Sequence, residues 1–248
     1  MLTAIILAKN EEEHISKTIK SLNFCDQVIV IDDESTDDTI SISKECGAKV
    51  IKHSIDGDFA SQRNFAIKEI DSDWYLYIDA DEMVSPQLGL EIKSIVSDTK
   101  NPSDCFYIPR QDYFLGQKIK YGDLLNFKLI RLVKKNTGKW VGKVHETWHS
   151  KSSKVGHLKS PILHNSHTSF ESFLNHLNMY STIKSQEFFE NKKHISVIHI
   201  IFGPVLKFIY LYVFKLGFMD KTVGFIHAMS MSLYVYLVAS KTWQLQNK

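Results

Sequence analysis

Apolar runs and amphipathic stretches alternate along the first hundred residues. Residues 2–8, LTAIILA, are a short apolar run bounded by polar residues, the pattern of a buried strand. EEEHISKTIKSLNF follows, with Ile15, Ile19 and Leu22 at helical spacing and acids in its first turn. QVIVIDD predicts a second strand, STDDTISISKECG a short helix ending at Gly47, and AKVIKH a third strand. FASQRNFAIKEI predicts a helix with Phe59, Arg63, Ala66 and Ile70 spaced along it. WYLYIDAD predicts a fourth strand, and SPQLGLEIKSIVSD a helix with Ser85 as N-cap and Pro86 at its first position.

Strand alternating with helix four times predicts an α/β fold with a mostly parallel sheet and flanking helices. Ligands of such sheets sit beyond the carboxyl ends of the strands. The polar residues fall at those ends: Lys9, Asn10 and Glu11 after the first strand, Asp32 and Asp33 after the second, Asp79 to Glu82 after the fourth. From 105 to about 166 the pattern is strands and turns, with Asn136-Thr137-Gly138 expected to close a hairpin. After 167 it becomes helical, with Phe173, Leu174, Leu177 and Tyr180 at helical spacing. The expected division is therefore a catalytic domain over 1–167, with halves of about 1–100 and 101–167, and a helical, apolar region over 168–248.

Length and charge narrow the possibilities without naming one. A chain of 248 residues can bury a sizeable core. Its formal net charge of +2 gives no reason to expect nucleic-acid binding. Cys25, Cys46 and Cys105 are odd in number and unpaired in spacing, which fits a reducing, cytoplasmic compartment. The start, MLTAIILAKNEEEH, lacks a basic segment before its apolar run, so a cleaved signal peptide is not expected.

The acids after WYLYI carry the candidate chemistry. Asp79 and Asp81 are two residues apart, and just past a strand end they can converge on one ion. Oxygen ligands favour Mg²⁺ or Mn²⁺, with positions left for water and substrate phosphates. Acid pairs are also common on solvated turns, so the spacing gains its weight from its place in the α/β pattern.

AIILAKNEEEHI, VIVIDDESTDDT, SQRNFAI and WYLYIDADE stand in the order and spacing of the family 2 glycosyltransferases of the GT-A fold, and the chain resembles that family over residues 1 to about 100. RLVKKNTGKWVGKVHE resembles the branch that includes lipopolysaccharide core β-glucosyltransferases. The resemblance implies inverting transfer of a sugar from a nucleotide diphosphate, usually a UDP-sugar such as UDP-glucose, to a glycan or glycolipid hydroxyl. It implies nucleoside contacts from Lys9, Asn10 and Glu11, and uracil and ribose contacts from Asp32 and Asp33. Arg63, with Ala80, would lie near the donor, and Asp79 and Asp81 would hold the metal. Read from the residues alone, Arg131, with Lys134 and Lys135, could neutralise the diphosphate or an anionic acceptor, or equally line a solvated hairpin edge. Glu82 would support that site or face water. Such a transfer needs a general base, for which Glu146 of GKVHET is the first candidate and His145 the second. The QxxRW motif of processive members is missing, so a single transfer is expected.

Two other readings stay open on sequence grounds. A nucleotidyltransferase would also gather nucleotide and metal at strand ends, though LAKNEEEH lacks an early glycine-rich phosphate loop. A zinc-binding interaction module could use the crowded histidines, with His164 and His167 at ligand spacing. The tail, ISVIHIIFGPVLKFIYLYVFKLGF and VGFIHAMSMSLYVYLVAS, is apolar and aromatic but interrupted by His199, Pro204, Lys207 and Lys215. It is expected to lie on the inner face of the cytoplasmic membrane, near a lipid-linked acceptor, or else to form a homo-oligomer interface.

Overall fold

The computed structural model describes residues 1–54, 58–122, 128–142, 146–151, 154–165 and 169–247. They fall into two compact units, residues 1–111 with 126–164, and residues 112–125 with 165–248.

In the first unit the expected alternation is present. It runs β1 (Leu2–Ala8), α1 (Ile15–Ser21), β2 (Gln27–Asp32), α2 (Thr39–Glu45), β3 (Lys49–Lys52), α3 (Phe59–Glu69) and β4 (Trp74–Asp79). β5 (Glu82–Val84), α4 (Pro86–Ser97) and β6 (Cys105–Phe114) follow. β7 (Gln117–Lys118) belongs to the second unit, and the first resumes with β8 (Lys128–Lys134), β9 (Gly138–Val141), β10 (Thr147–Ser150), β11 (Val155–His157) and β12 (Ile162–His164). The sheet order is β3-β2-β1-β4-β8-β6-β12-β5, parallel from β3 to β4 and antiparallel where β8 joins β4 and β6.

The central strands are apolar throughout because both faces of the sheet are covered. Alternate side chains feed two cores. Ala4, Ile6, Leu76 and Ile78 pack with Ile15, Leu88 and Ile92, while Ile5, Tyr75 and Tyr77 pack with Ala66, Trp140 and Trp148 on the other side. The buried phenols keep partners: Tyr75 donates to the Ile70 carbonyl at 2.7 Å and Tyr77 to the Arg63 carbonyl at 3.0 Å. Helix starts follow the local chemistry. Ser85 accepts from the Leu88 N–H ahead of Pro86, and Asp58 accepts from the Ser61 N–H. α2 gives way to Gly47 at a φ of 86°, where a side chain would strain the backbone.

One expectation fails. Asn136 does sit in a turn, at a φ of 64°, but the strands on its two sides part company. β8 stays in the main sheet and β9 pairs with β10 in a separate two-stranded sheet, with Trp140 opposite Trp148. Trp140 stacks edge-on with Trp148 and with Tyr77, and this aromatic packing draws the ribbon over the α3 side of the sheet.

The second unit is mainly helical: α5 (Phe170–Glu190), α6 (Val197–Ile209), a π-helical turn (Tyr210–Phe214), a 3-10 turn (Gly217–Asp220) and α7 (Lys221–Gln246). Its core joins Phe114 and Ile119 to Phe173, Leu177 and Val223. α5 departs from its expected face. Tyr180 is exposed, whereas Ser181 and Ser185 are buried one and two turns beyond Leu177. Small side chains there admit α7, whose Lys241 ammonium donates to Asn178, Ser181 and Thr182 at 2.7–2.8 Å.

Candidate active site

β2 and β4 leave β1 on opposite sides, so the strand order reverses at β1 and opens a crevice at the carboxyl ends. Three strand ends meet there. After β1, Asn10 adopts a φ of 54° and its side-chain carbonyl accepts from the Thr36 N–H at 2.8 Å. The Asn10 and Glu11 N–H groups donate to Ser35 and Thr39. These bonds tie the β1–α1 loop to the loop after β2, so Asn10 acts here as scaffold. The Glu11 carboxylate pairs with His14 at 3.3 Å and raises the imidazole pKa.

At the end of β2, Asp32 and Asp33 are both buried. Asp33 is paired with the Lys9 ammonium at 2.9 Å. One Asp32 oxygen accepts from the Ser35 N–H at 3.1 Å, while Oδ1 has no partner among the described residues. A buried carboxylate oxygen without a donor is costly, and a ligand N–H would satisfy it.

Asp79 ends β4, Ala80 and Asp81 make the turn, and Glu82 opens β5. Ala80 is buried in the core and its carbonyl accepts from Thr18 at 2.6 Å, so its side chain faces away from the crevice. Glu82 is fully buried: it accepts from the Asp79 N–H at 2.9 Å and from Arg131 at 3.3 Å. Glu82 therefore supports the site and does not face water.

Two buried arginines organise these acids. Arg131, from β8, grips both oxygens of Asp79. Arg63, from α3, donates through Nε to Glu146 at 2.7 Å and through a terminal nitrogen to Asp79 at 2.9 Å. Its guanidinium lies 5.4 Å from the Tyr77 ring centroid and 5.0 Å from that of Trp140. Burial alone would push the Asp79 carboxyl upward, but Arg131 and Arg63 together hold it well below the usual range. Burial pushes Glu82 up against the pull of Arg131. The sequence left Arg131 open to a solvated hairpin edge; in the structure it is 4% exposed and committed to two carboxylates.

Asp81 stands apart from that network. The antiparallel pairing of β5 with β12 sets His164 opposite Glu82, and His164 Nε2 comes within 3.1 Å of Asp81 Oδ2. The Asp81 carboxylate, partly exposed, is an oxygen ligand suited to Mn²⁺ or Mg²⁺, and His164 beside it would have to give up this contact to add a nitrogen, which suits Mn²⁺ better than Mg²⁺. Asp79 fits less well, because its oxygens already accept from two guanidinium groups. Among the described residues no cluster of three or more such side chains is present, so the pair would leave positions for water and phosphate. Spacing along the chain gives no sign that His164 partners Asp81, because 83 residues separate them. His145 and His167 lie outside the described residues.

A reversed parallel sheet with carboxylates gathered at its switch point is the architecture of a GT-A enzyme. The glycosyl transferase family 2 model matches residues 3–151. The chain belongs to that family, and it is a glycosyltransferase with a sugar donor and an acceptor. An uncharacterized glycosyltransferase of Rickettsia typhi is 30% identical over all of this chain and 88% of its own length. The lipopolysaccharide core biosynthesis glycosyltransferase LpsC of Rhizobium meliloti is 27% identical, covering 98% of this chain and 92% of LpsC. Among solved structures, S. aureus TarS is 16% identical with a TM-score of 0.49, covering 99% of this chain and 91% of that one. Family membership removes the nucleotidyltransferase and zinc-module readings.

Proposed function

We propose that this enzyme moves a hexose from a UDP-sugar to a hydroxyl of a lipid-linked glycan, inverting the anomeric centre in one displacement. The observation that carries the reading is the Arg63 bridge, which sets the Glu146 carboxylate beside the acids at the end of β4. Asp32 Oδ1 is the acceptor for the imide N–H of uracil, and Lys9 and Asp33 border the nucleoside. Asp81 with His164 would hold Mn²⁺ or Mg²⁺. That ion, when bound, supplies positive charge against the diphosphate leaving group.

Glu146 removes the proton of the acceptor hydroxyl as its oxygen attacks the anomeric carbon. The bond from that carbon to the diphosphate oxygen breaks, the electron pair leaves with UDP, and Glu146 carries the proton. Arg63 keeps the base in register with Asp79, and the Tyr77 and Trp140 rings hold Arg63 in place. The named role of LpsC in lipopolysaccharide core biosynthesis supports an acceptor of that glycan class.

A thermal-shift screen of nucleotide sugars with and without Mn²⁺ tests the donor, since stabilisation follows occupancy. UDP-hexoses are expected to stabilise the protein most, and more with the ion than without; equal stabilisation by other nucleotides would sink the uridine assignment. Asp81→Ala should weaken UDP binding in Mn²⁺ at least ~10-fold, in line with loss of a charged ligand, and leave the affinity in chelator unchanged. Calorimetry reads both, and an unaltered affinity in Mn²⁺ would remove Asp81 from the metal site.

A further inference from the structure

α6 turns its apolar side outward. Ile198, Phe202, Leu206, Tyr210 and Phe214 recur at four-residue intervals, each is exposed, and the residue before each is exposed and apolar as well. Phe214 reaches 74% exposure, Ile198 66% and Leu206 64%. A surface helix of a soluble domain buries such a stripe. Here the opposite side faces the neighbouring helix. A side chain on Gly203 would meet Val235 of α7 at 3.2 Å, and the Ser232 hydroxyl donates to the Pro204 carbonyl at 2.7 Å. α7 adds a parallel set of exposed apolar residues, Phe225, Met229, Leu233 and Tyr236, at near-helical spacing. An apolar patch of this extent marks a docking surface.

The charge around the stripe identifies what docks. Residues 191–248 contain seven lysines and a single acid, Asp220. The Asp220 carboxylate is already engaged by the backbone N–H groups of Lys120 and Tyr121. Lys192 and Lys193 precede α6, Lys207 lies within it and Lys215 follows the π-helical turn. A second copy of this chain would set one lysine-rich face against another. A bilayer rich in anionic lipid is complementary to both features at once: acyl chains for the stripe and headgroups for the lysines, whose long stems reach back to the interface. Tyrosines at the same level suit that interface.

In-plane seating fits the packing of this unit better than crossing. Val197–Phe214 and Gly217–Gln246 are long and apolar enough to span. Yet α7 is locked to α5 through Lys241, and α5 carries exposed Glu187 and Glu190 and half-buried Lys184. Spanning would pull those charges into hydrocarbon. We propose that α6 with its π-helical turn is an in-plane anchor that seats the enzyme on an anionic bilayer. Such anchoring is independent of the donor and acceptor assigned above.

The test uses the full chain and sedimentation with vesicles of phosphatidylglycerol mixed into phosphatidylcholine, or of phosphatidylcholine alone. Partition is expected to be at least ~10-fold stronger on the anionic vesicles and to weaken with salt, given four lysines along the anchor. Phe202→Asp with Leu206→Asp should lower it at least ~10-fold, with circular dichroism, urea midpoint and UDP affinity unchanged. Neutralising Lys192, Lys193, Lys207 and Lys215 to Gln should remove the preference for anionic lipid while the apolar face stays intact. Indifference of the wild type to anionic vesicles, or undiminished binding by the aspartate variant, overturns the proposal. So does a dimer that vesicles do not displace and that the same aspartates dissociate.

Discussion

Glu146→Gln is expected to reduce turnover at least ~10²-fold, the usual contribution of a general base, while UDP affinity stays within about twofold of wild type. The amide keeps an acceptor oxygen for the Arg63 Nε–H, so the bridge to Asp79 survives and only proton uptake is lost. Steady-state kinetics with a glycan acceptor, beside calorimetry of UDP, separates the two effects. Arg63→Lys makes the companion measurement. An ammonium cannot donate along two fixed directions to Glu146 and Asp79 as the planar guanidinium does, nor stack as well between Tyr77 and Trp140. The lysine variant should lose kcat more than KM and shift the pH profile of kcat, which a purely structural defect would not do. Should Glu146→Gln retain wild-type turnover while His145→Ala loses it, the base moves to His145.

The parts of the fold legible in the sequence are those where one physical constraint dominates. LTAIILA and WYLYI are almost wholly apolar because their strands are covered on both faces; Thr3 is the one small polar exception in β1, and charged residues wait for the strand ends. That constraint alone puts Asp32, Asp33 and Asp79 at strand ends. What the sequence hides depends on pairing at a distance. Glu82 is one residue from Asp81, yet it is buried against Arg131 while Asp81 faces His164; a two-residue periodicity cannot say which side of a turn is solvated. The β8–β9 turn is visible in Asn136-Thr137-Gly138, but the pull of Trp148 on Trp140 that separates its strands is not. On α6, helical spacing reveals that an apolar face exists and nothing about whether it points inward. On α5, buried Ser181 and Ser185 break the expected stripe because close helix approach rewards small side chains there, not large ones.

Arg131→Ala should be the most destabilising single change in the site. Arg131 is 4% exposed and is the cation shared by Asp79 and Glu82, so its removal takes one of two cations from Asp79 and the single guanidinium contact from Glu82. Breaking a buried ion pair from one side costs about 3–5 kcal/mol, since the remaining charge has lost its compensation. Asp79 retains 36% side-chain exposure and a second cation in Arg63, which places the expected loss near the lower end, about 3 kcal/mol. Urea unfolding followed by circular dichroism reads it as a fall in midpoint. Glu82→Gln provides the contrast. Burial works against the charged form of Glu82, and the amide oxygen can still accept from the Asp79 N–H, so this variant should lose no more than about 1 kcal/mol. Equal losses in the two variants would mean that Arg131 stabilises through packing alone. A loss confined to Arg131→Ala would show that it holds the end of β4 together by charge, keeping Asp79 fixed so that Asp81, two residues on, stays aligned with His164.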